Sequence, residues 1–234
     1  MALRHTFRFA STCRPTEVPF SGLPLLAADE IGPRIRQLKS LGFELQGCYD
    51  CGELSSGTKN FVAYFVNHRN HDVANISVVL SPFSGIQYME FSTRLASGRS
   101  IDTNTNSVLP LSPQNPDIRT FRFPELNDPA ALYEVHRLLV EKYSDGLPVE
   151  TEGEDQAIKR MVRVVENYGA RHARLGYMYF GKDGQYRLTW KGAVLMSWRA
   201  LWPLGLVRKV LHRHAMNNEL RSLQLRGETR LQKA

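Results

Sequence analysis

A chain of 234 residues that is 42% hydrophobic has the composition of a soluble globular protein and is long enough to bury a substantial core, in one domain or in one domain with an appendage. Its three cysteines, Cys13, Cys48 and Cys51, are an odd and sparse set, which argues against a secreted disulfide framework and for a reducing compartment. The net charge of +7 is localised: residues 190–234 hold nine Lys/Arg against two Asp/Glu, and the rest of the chain balances at 21 of each. Such a basic tail suits lipid headgroups, nucleic-acid phosphates or an acidic protein, and charge alone does not choose among them.

Residues 1–26 read as an irregular N-terminal arm. No secretory signal is evident, and Arg4, Arg8 and Arg14 among Ser and Thr, with no acid nearby, have the composition of an organelle transit peptide; a disordered arm is the plainer reading. Residues 27–146 read as an α+β sheet domain. It opens with a helix in which Asp29 is the expected N-cap, Pro33 falls in the first turn, Ile31, Ile35 and Leu38 form a stripe, and Gly42 is the stop.

Strand-like runs follow at 43–49, 61–66, 73–80, 86–95, 100–105 and 118–123. Gly, Asn, Ser and Pro fill the connections, as in an antiparallel meander of five to six strands with helices on one face. An odd-length loop at Ser97-Gly98 sets Met89, Phe91, Thr93 and Leu95 with Ile101, Thr103 and Thr105. It leaves Tyr88, Glu90, Ser92 and Arg94 on a polar face with Asp102 and Asn104, whereas an even loop would mix the two sets.

Asp128 and Pro129 open a second helix with Leu132, Val135, His136 and Leu139 on its stripe, ending at Asp145-Gly146. Residues 146–155 are polar and mark a boundary. Residues 147–234 then read as helix, hairpin and basic helix. The first of these, over about 154–175, carries Ile158, Met161, Val162 and Val165 and is weakened at Gly169. Lys182-Asp183-Gly184 signals the hairpin.

Residues 190–213 contain all three tryptophans and the longest apolar run. Between Gly192 and Val207 the only charge is Arg199, so the helix there is apolar nearly all round and belongs in a core or against lipid. A spanning helix needs about 20 predominantly apolar residues; any such window here includes Lys191, Arg199 and the Trp202-Pro203 break. After Pro203, Leu206, Val207, Val210 and Leu211 recur at helical spacing opposite Arg208, Lys209, His212 and Arg213. One reading is a packed C-terminal helix with tryptophan core anchors, and a protein partner is another. The reading that uses every feature is a peripheral protein on the cytoplasmic, anionic face of a membrane. Trp198, Trp202, Leu206 and Val207 would enter the interface, and Arg208, Lys209 and Arg213 would meet headgroups.

The stretches GIQYMEFSTRLASGRSIDTNTN and YRLTWKGAVLMSWRALWP resemble a family of uncharacterised bacterial proteins. That resemblance implies one recurring architecture over most of the chain after the first helix, and no activity or site.

Candidate chemistry is sparse. Cys48-x-x-Cys51 and His68-x-x-His71 suggest zinc, but in a hairpin they lie at opposite ends of a strand, roughly 20 Å apart. Asp102-Thr-Asn104-Thr-Asn106 begins like a calcium loop and fails at Ser107 and Pro113. Glu90, Ser92, Arg94, Asp102 and Asn104 form either a solvated strand face or a surface for a small polar ligand or peptide. His136 reads as a satisfied core histidine. No nucleophile elbow, phosphate loop or dinucleotide fingerprint is present, so no catalytic residue, metal or cofactor is assigned and a non-enzymatic role is expected. Nucleic-acid binding stands as an alternative, since helix, wing and helix follow one another and Arg160, Arg163, Arg171, Arg174 and Lys182 would meet phosphates. Only one helix precedes the wing, however, where a helix-turn-helix module needs more.

Overall fold

A computed structural model describes residues 6–82, 84–150 and 154–231. Its elements are β1 (Arg8–Ala10), β2 (Thr16–Val18), a 3₁₀ turn (Phe20–Gly22), α1 (Leu25–Ser40), β3 (Glu44–Asp50), β4 (Lys59–Asn67), β5 (Asp72–Leu80), β6 (Gly85–Arg94), β7 (Ser100–Asn104), β8 (Ile118–Arg122), α2 (Pro129–Tyr143), α3 (Glu154–Arg174), β9 (Met178–Phe180), β10 (Gln185–Leu188), α4 (Trp190–Ala200) and α5 (Leu204–Leu231).

The fold is α+β, built on a seven-stranded sheet in the order β2-β3-β4-β5-β6-β7-β8. Every pair is antiparallel except the last, because residues 105–117 cross over and lay β8 parallel to β7. The sheet is larger than the five to six strands expected. The extra strand, β2, comes from the lead-in read as irregular, where Thr16 pairs with Asp50 and Val18 with Cys48. The same lead-in supplies β1, which pairs with β10 to complete a small sheet of order β1-β10-β9. Three-residue segments of this kind gain strand structure only from an edge already built, which their own pattern does not announce. The possible transit segment includes residues 1–5, which lie outside the described residues, as do residues 151–153 of the expected boundary.

Alternation along the strands builds two faces. On the first, Phe61, Ala63 and Phe65 of β4, Ala74, Ile76 and Val78 of β5, and Met89 and Phe91 of β6 pack against Ile31 and Leu38 of α1 and Leu132 and Leu139 of α2. The two helices of the sheet domain share one face as expected, and α3, the first helix of the C-terminal region, covers part of the second face. Its stripe of Ile158, Met161, Val162 and Val165 meets Tyr49, Val62, Tyr64, Val66 and Val73, since β4 and the start of β5 are apolar on both sides. The β6–β7 hairpin has the odd loop: Thr93 pairs with Ile101, and Leu95 N–H donates to Arg99 O at 2.9 Å around residues 96–98.

Helix α1 begins at Leu25, four residues before Asp29, with Pro24 at the N-cap position and Pro33 inside the helix. Its stripe starts at buried Ala27, so burial of an extra turn overrides the capping signal. Asp128 caps α2 as expected, accepting from Ala131 N–H at 3.0 Å. His136 is fully buried between Thr93 (Nε2 to Oγ1, 2.8 Å) and Thr103 (Nδ1 to Oγ1, 2.9 Å). Gly169 has a packing purpose: a Cβ there would lie 2.2 Å from the Tyr186 ring.

The distal half of α5 returns to the body. Leu223 is buried in the first core with Met216 and Leu220 beside it, while Lys142 donates to Glu219 and, at 2.9 Å, to Ser222 Oγ.

Candidate functional site

Two features concentrate the unusual chemistry: an exposed apolar hairpin and a recess in the sheet. Thr189 caps α4 by accepting from Gly192 N–H at 3.1 Å. From there α4 presents two apolar faces. Gly192, Ala193 and Met196 face inward onto Met178 and Leu188. Trp190, Val194 and Trp198, spaced four apart, face solvent, and Leu201, Trp202, Leu206, Val207, Val210 and Leu211 continue the exposed surface into α5. Trp190, Trp198 and Trp202 are 48%, 61% and 81% exposed, so the tryptophans are not core anchors.

The hairpin is held against the β7–β8 connection. Arg208 donates to Pro110 O at 3.0 Å and Arg199 O at 3.2 Å, and Arg199 donates to Leu111 O at 3.3 Å. Of the residues expected to meet a membrane, Trp198, Trp202, Leu206, Val207 and Lys209 are exposed. Arg213 is exposed too and reaches Glu125 at 2.9 Å. Arg208 is half-buried, with its guanidinium on two backbone carbonyls that tie the hairpin together. No Asp or Glu occurs between Asp183 and Glu219. Among the described residues no helix is long and apolar enough to cross a membrane.

The second feature lies where the second sheet face turns polar. Asn75 and Ser77 of β5, Tyr88, Glu90, Ser92 and Arg94 of β6, and Ser100 and Asp102 of β7 floor a cavity of about 550 Å³, roofed by Arg160, Met161, Val164 and Val165 of α3. Glu90 accepts from Asn104 Nδ2 at 2.8 Å and from Asn75 Nδ2 at 3.3 Å, with Asn104 itself buried beneath it. Asp102 accepts from the Ser92 hydroxyl at 2.7 Å, and Ser92 Oγ accepts from Arg160 at 2.8 Å. Arg94 stands at the rim in an ion pair with Glu150 at 2.6 Å. Burial, and after it the charge of Asp102, pushes the Glu90 carboxyl up to about 7. Burial also raises Asp102, opposed by Ser92 and by the Arg160 charge. The two carboxyls therefore sit in different surroundings, amides about one and hydroxyls with a neighbouring arginine about the other. That difference was invisible in sequence because Asn75 and Arg160 come from β5 and α3.

The remaining candidates separate. Cys48, in β3, faces the first core, while Cys51, just past the end of that strand, faces the second. Cys51 instead meets Cys13, its thiol donating to the Cys13 sulfur, which lowers the Cys13 pKa and raises its own. His68 lies 3.6 Å from Glu44, at the far end of β3 from Cys51. Asn106 Oδ1 accepts from Val108 N–H, so the calcium-like stretch is strand followed by a turn. In the helix–wing–helix region, Arg160 turns into the cavity, Arg163 is exposed along its edge, and Arg171 donates to the carbonyls of Pro113 and Gln114, leaving Arg174 and Lys182 outward.

No protein-family model, curated protein or solved structure matches this chain.

Proposed function

We propose that this protein attaches peripherally to an anionic membrane surface, on the cytoplasmic face, through the α4–α5 hairpin. The observation that carries this reading is the exposed apolar surface that Trp190, Val194 and Trp198 of α4 form with Leu201, Trp202, Leu206, Val207, Val210 and Leu211, on the side away from buried Gly192, Ala193 and Met196. Tryptophan suits the headgroup level, where its ring is buried and its N–H stays wet. The acid-free stretch supplies Lys191, Lys209 and Arg213 at the edge of the apolar surface, and each cation near an anionic leaflet is worth about 1 kcal/mol. Arg199 and Arg208 stiffen the hairpin, so little ordering cost is left for insertion.

The test is co-sedimentation of the full chain with phosphatidylcholine vesicles that contain or lack phosphatidylserine, with duplex DNA as competitor. The expected result is recovery with the anionic vesicles, unaffected by DNA and reduced at least about tenfold in Trp198→Ser/Trp202→Ser, since roughly 1.4 kcal/mol of lost burial is tenfold in partitioning. Recovery of the wild-type protein in the supernatant with both vesicles would overturn the reading. Release by DNA would move the cations to nucleic-acid phosphate.

A further inference from the structure

Membrane attachment makes no use of the cavity beneath α3, and the cavity's charges are met by its own surroundings: Arg122 faces both Glu90 and Asp102, and Arg160 faces Asp102. The same cavity is also walled by two thiols. Cys13 and Cys51 both line it and belong to one buried cluster with Tyr49, Val62 and Tyr64. They stand 38 positions apart in sequence. Antiparallel pairing brings them together, because Thr16 opposes Asp50, which leaves Cys13 just ahead of β2 and Cys51 just past the end of β3. Their sulfurs share a hydrogen bond, and both are free thiols. Cys48 is buried in the first core, across the sheet from them.

We infer that Cys13 and Cys51 form a hydroperoxide-responsive dithiol, in which Cys13 is oxidised first and Cys51 then closes a disulfide upon it. The Cys51 S–H points at the Cys13 sulfur, which favours thiolate at Cys13 and keeps the proton on Cys51. Burial and the charge of Glu166 oppose ionisation of Cys13 and are outweighed by this bond, whereas burial and Asp50 hold Cys51 protonated. Hydrogen peroxide needs little more room than a water molecule, about 30 Å³, and the cavity offers about 550 Å³.

The chemistry closes on these two sulfurs. The Cys13 thiolate attacks one peroxide oxygen and the O–O bond breaks. The other oxygen leaves as hydroxide, takes up the proton that Cys13 gave up and departs as water, and Cys13 becomes a sulfenic acid. The Cys51 sulfur then attacks the Cys13 sulfur; the S–S bond forms, the S–O bond breaks, and the hydroxyl leaves with the Cys51 proton as a second water. Two thiols lose two electrons and one peroxide gains them. In a reducing compartment such a pair rests as the dithiol and forms its disulfide transiently. The bond would fasten residues 11–15, which connect the two sheets: β1 ahead of them pairs with β10, and β2 after them pairs with β3.

The experiment treats the reduced full chain with one equivalent of hydrogen peroxide, counts free thiols after denaturation and maps peptides without reduction. The expected result is a fall from three thiols to one, a single link between Cys13 and Cys51 within one chain, and reversal by dithiothreitol. The oxidised protein should melt about 5–10 °C above the reduced one, because the link closes a long loop of the unfolded chain. In Cys51→Ala, dimedone should trap a sulfenic acid at Cys13; in Cys13→Ala it should leave Cys51 unlabelled. A link through Cys48, a link between two chains, or three thiols surviving millimolar peroxide would each overturn the inference, and all three are read on the wild-type protein whatever the stability of the variants. Labelling of Cys51 in Cys13→Ala to the extent of Cys13 in Cys51→Ala would overturn the order of attack. None of these outcomes depends on the vesicle experiment.

Discussion

Glu90 and His136 sit on opposite faces of the same sheet and pull its stability in opposite directions with pH. Burial pushes His136 down to about 4 from an ordinary 6.5, so the unfolded chain binds the extra proton between those values and stability rises with pH across that window. Glu90 moves from an ordinary 4.5 up to about 7, so the folded state binds the extra proton and stability falls as pH rises through that range. Replacing Glu90 by Gln removes only the second effect. Urea unfolding should find Glu90→Gln close to wild type at pH 4.5 and more stable by about 2 kcal/mol at pH 8; equal stabilities at pH 8 would refute the assignment. A steric case stands at Gly192, where a Cβ would lie 2.0 Å from Tyr177 O. Backbone cannot swing aside as a side chain can, so Gly192→Ala should cost about 1–3 kcal/mol in the same measurement.

At the scale of elements, β5, β6 and α2 are joined by one buried carboxylate. Asp72 accepts from Thr93 Oγ1, from the Tyr133 hydroxyl at 2.7 Å and from Arg137 at 2.9 Å, and Thr93 passes the chain on to His136. Asp72→Ala leaves a tyrosine hydroxyl, a threonine hydroxyl and an arginine without their acceptor. The expected loss is about 3–5 kcal/mol, read as a lower urea midpoint; a loss under about 1 kcal/mol would show that water replaces the carboxylate. The Asp128 cap, the odd β6–β7 loop and the stripes of α2 and α3 were all legible in sequence, because each depends on neighbours within a few residues. The start of α1 was not, since Ala27 gains its burial from the sheet and gives no local signal. The edge strands β1 and β2 were hidden for the same reason.

At the scale of the molecule, the hairpin and the cavity lie on separate surfaces linked by the β7–β8 connection. Arg199 and Arg208 hold its Leu111 and Pro110 carbonyls, while its Asn115 and Asp117 reach the cavity. The C-terminal region is also structural. Met196 and Ala193 belong to the third core, and Leu223 to the first. A chain ending at Thr189 should therefore melt well below the full-length protein, whereas Trp198→Ser/Trp202→Ser, which alters only exposed side chains, should melt with it. Equal melting of the shortened chain in a thermal scan would contradict the packing of α4 and α5. Vesicle recovery should fall as salt rises from 0.05 to about 0.5 M, since exposed cations are screened over a distance of about 10 Å at 0.1 M and less above it.

The sequence by itself determined the α+β class, the meander, the polar strand face at Glu90, Ser92 and Asp102, and a C-terminal segment too interrupted to cross a bilayer. These depend on periods of two and 3.6 and on charge counts, which need no partner to read. Tertiary structure alone decided three things. It placed the tryptophans outside the core, because α4 spends its small residues Gly192 and Ala193 on the inward face. It engaged Arg208 with the carbonyls of Pro110 and Arg199, because the β7–β8 connection packs beside the hairpin. It also made a cavity of the polar strand face, because α3 and β5 arrive from distant segments to roof it and to hold Glu90. Burial is a property of what packs on a residue, and a residue's own neighbours in sequence do not specify that.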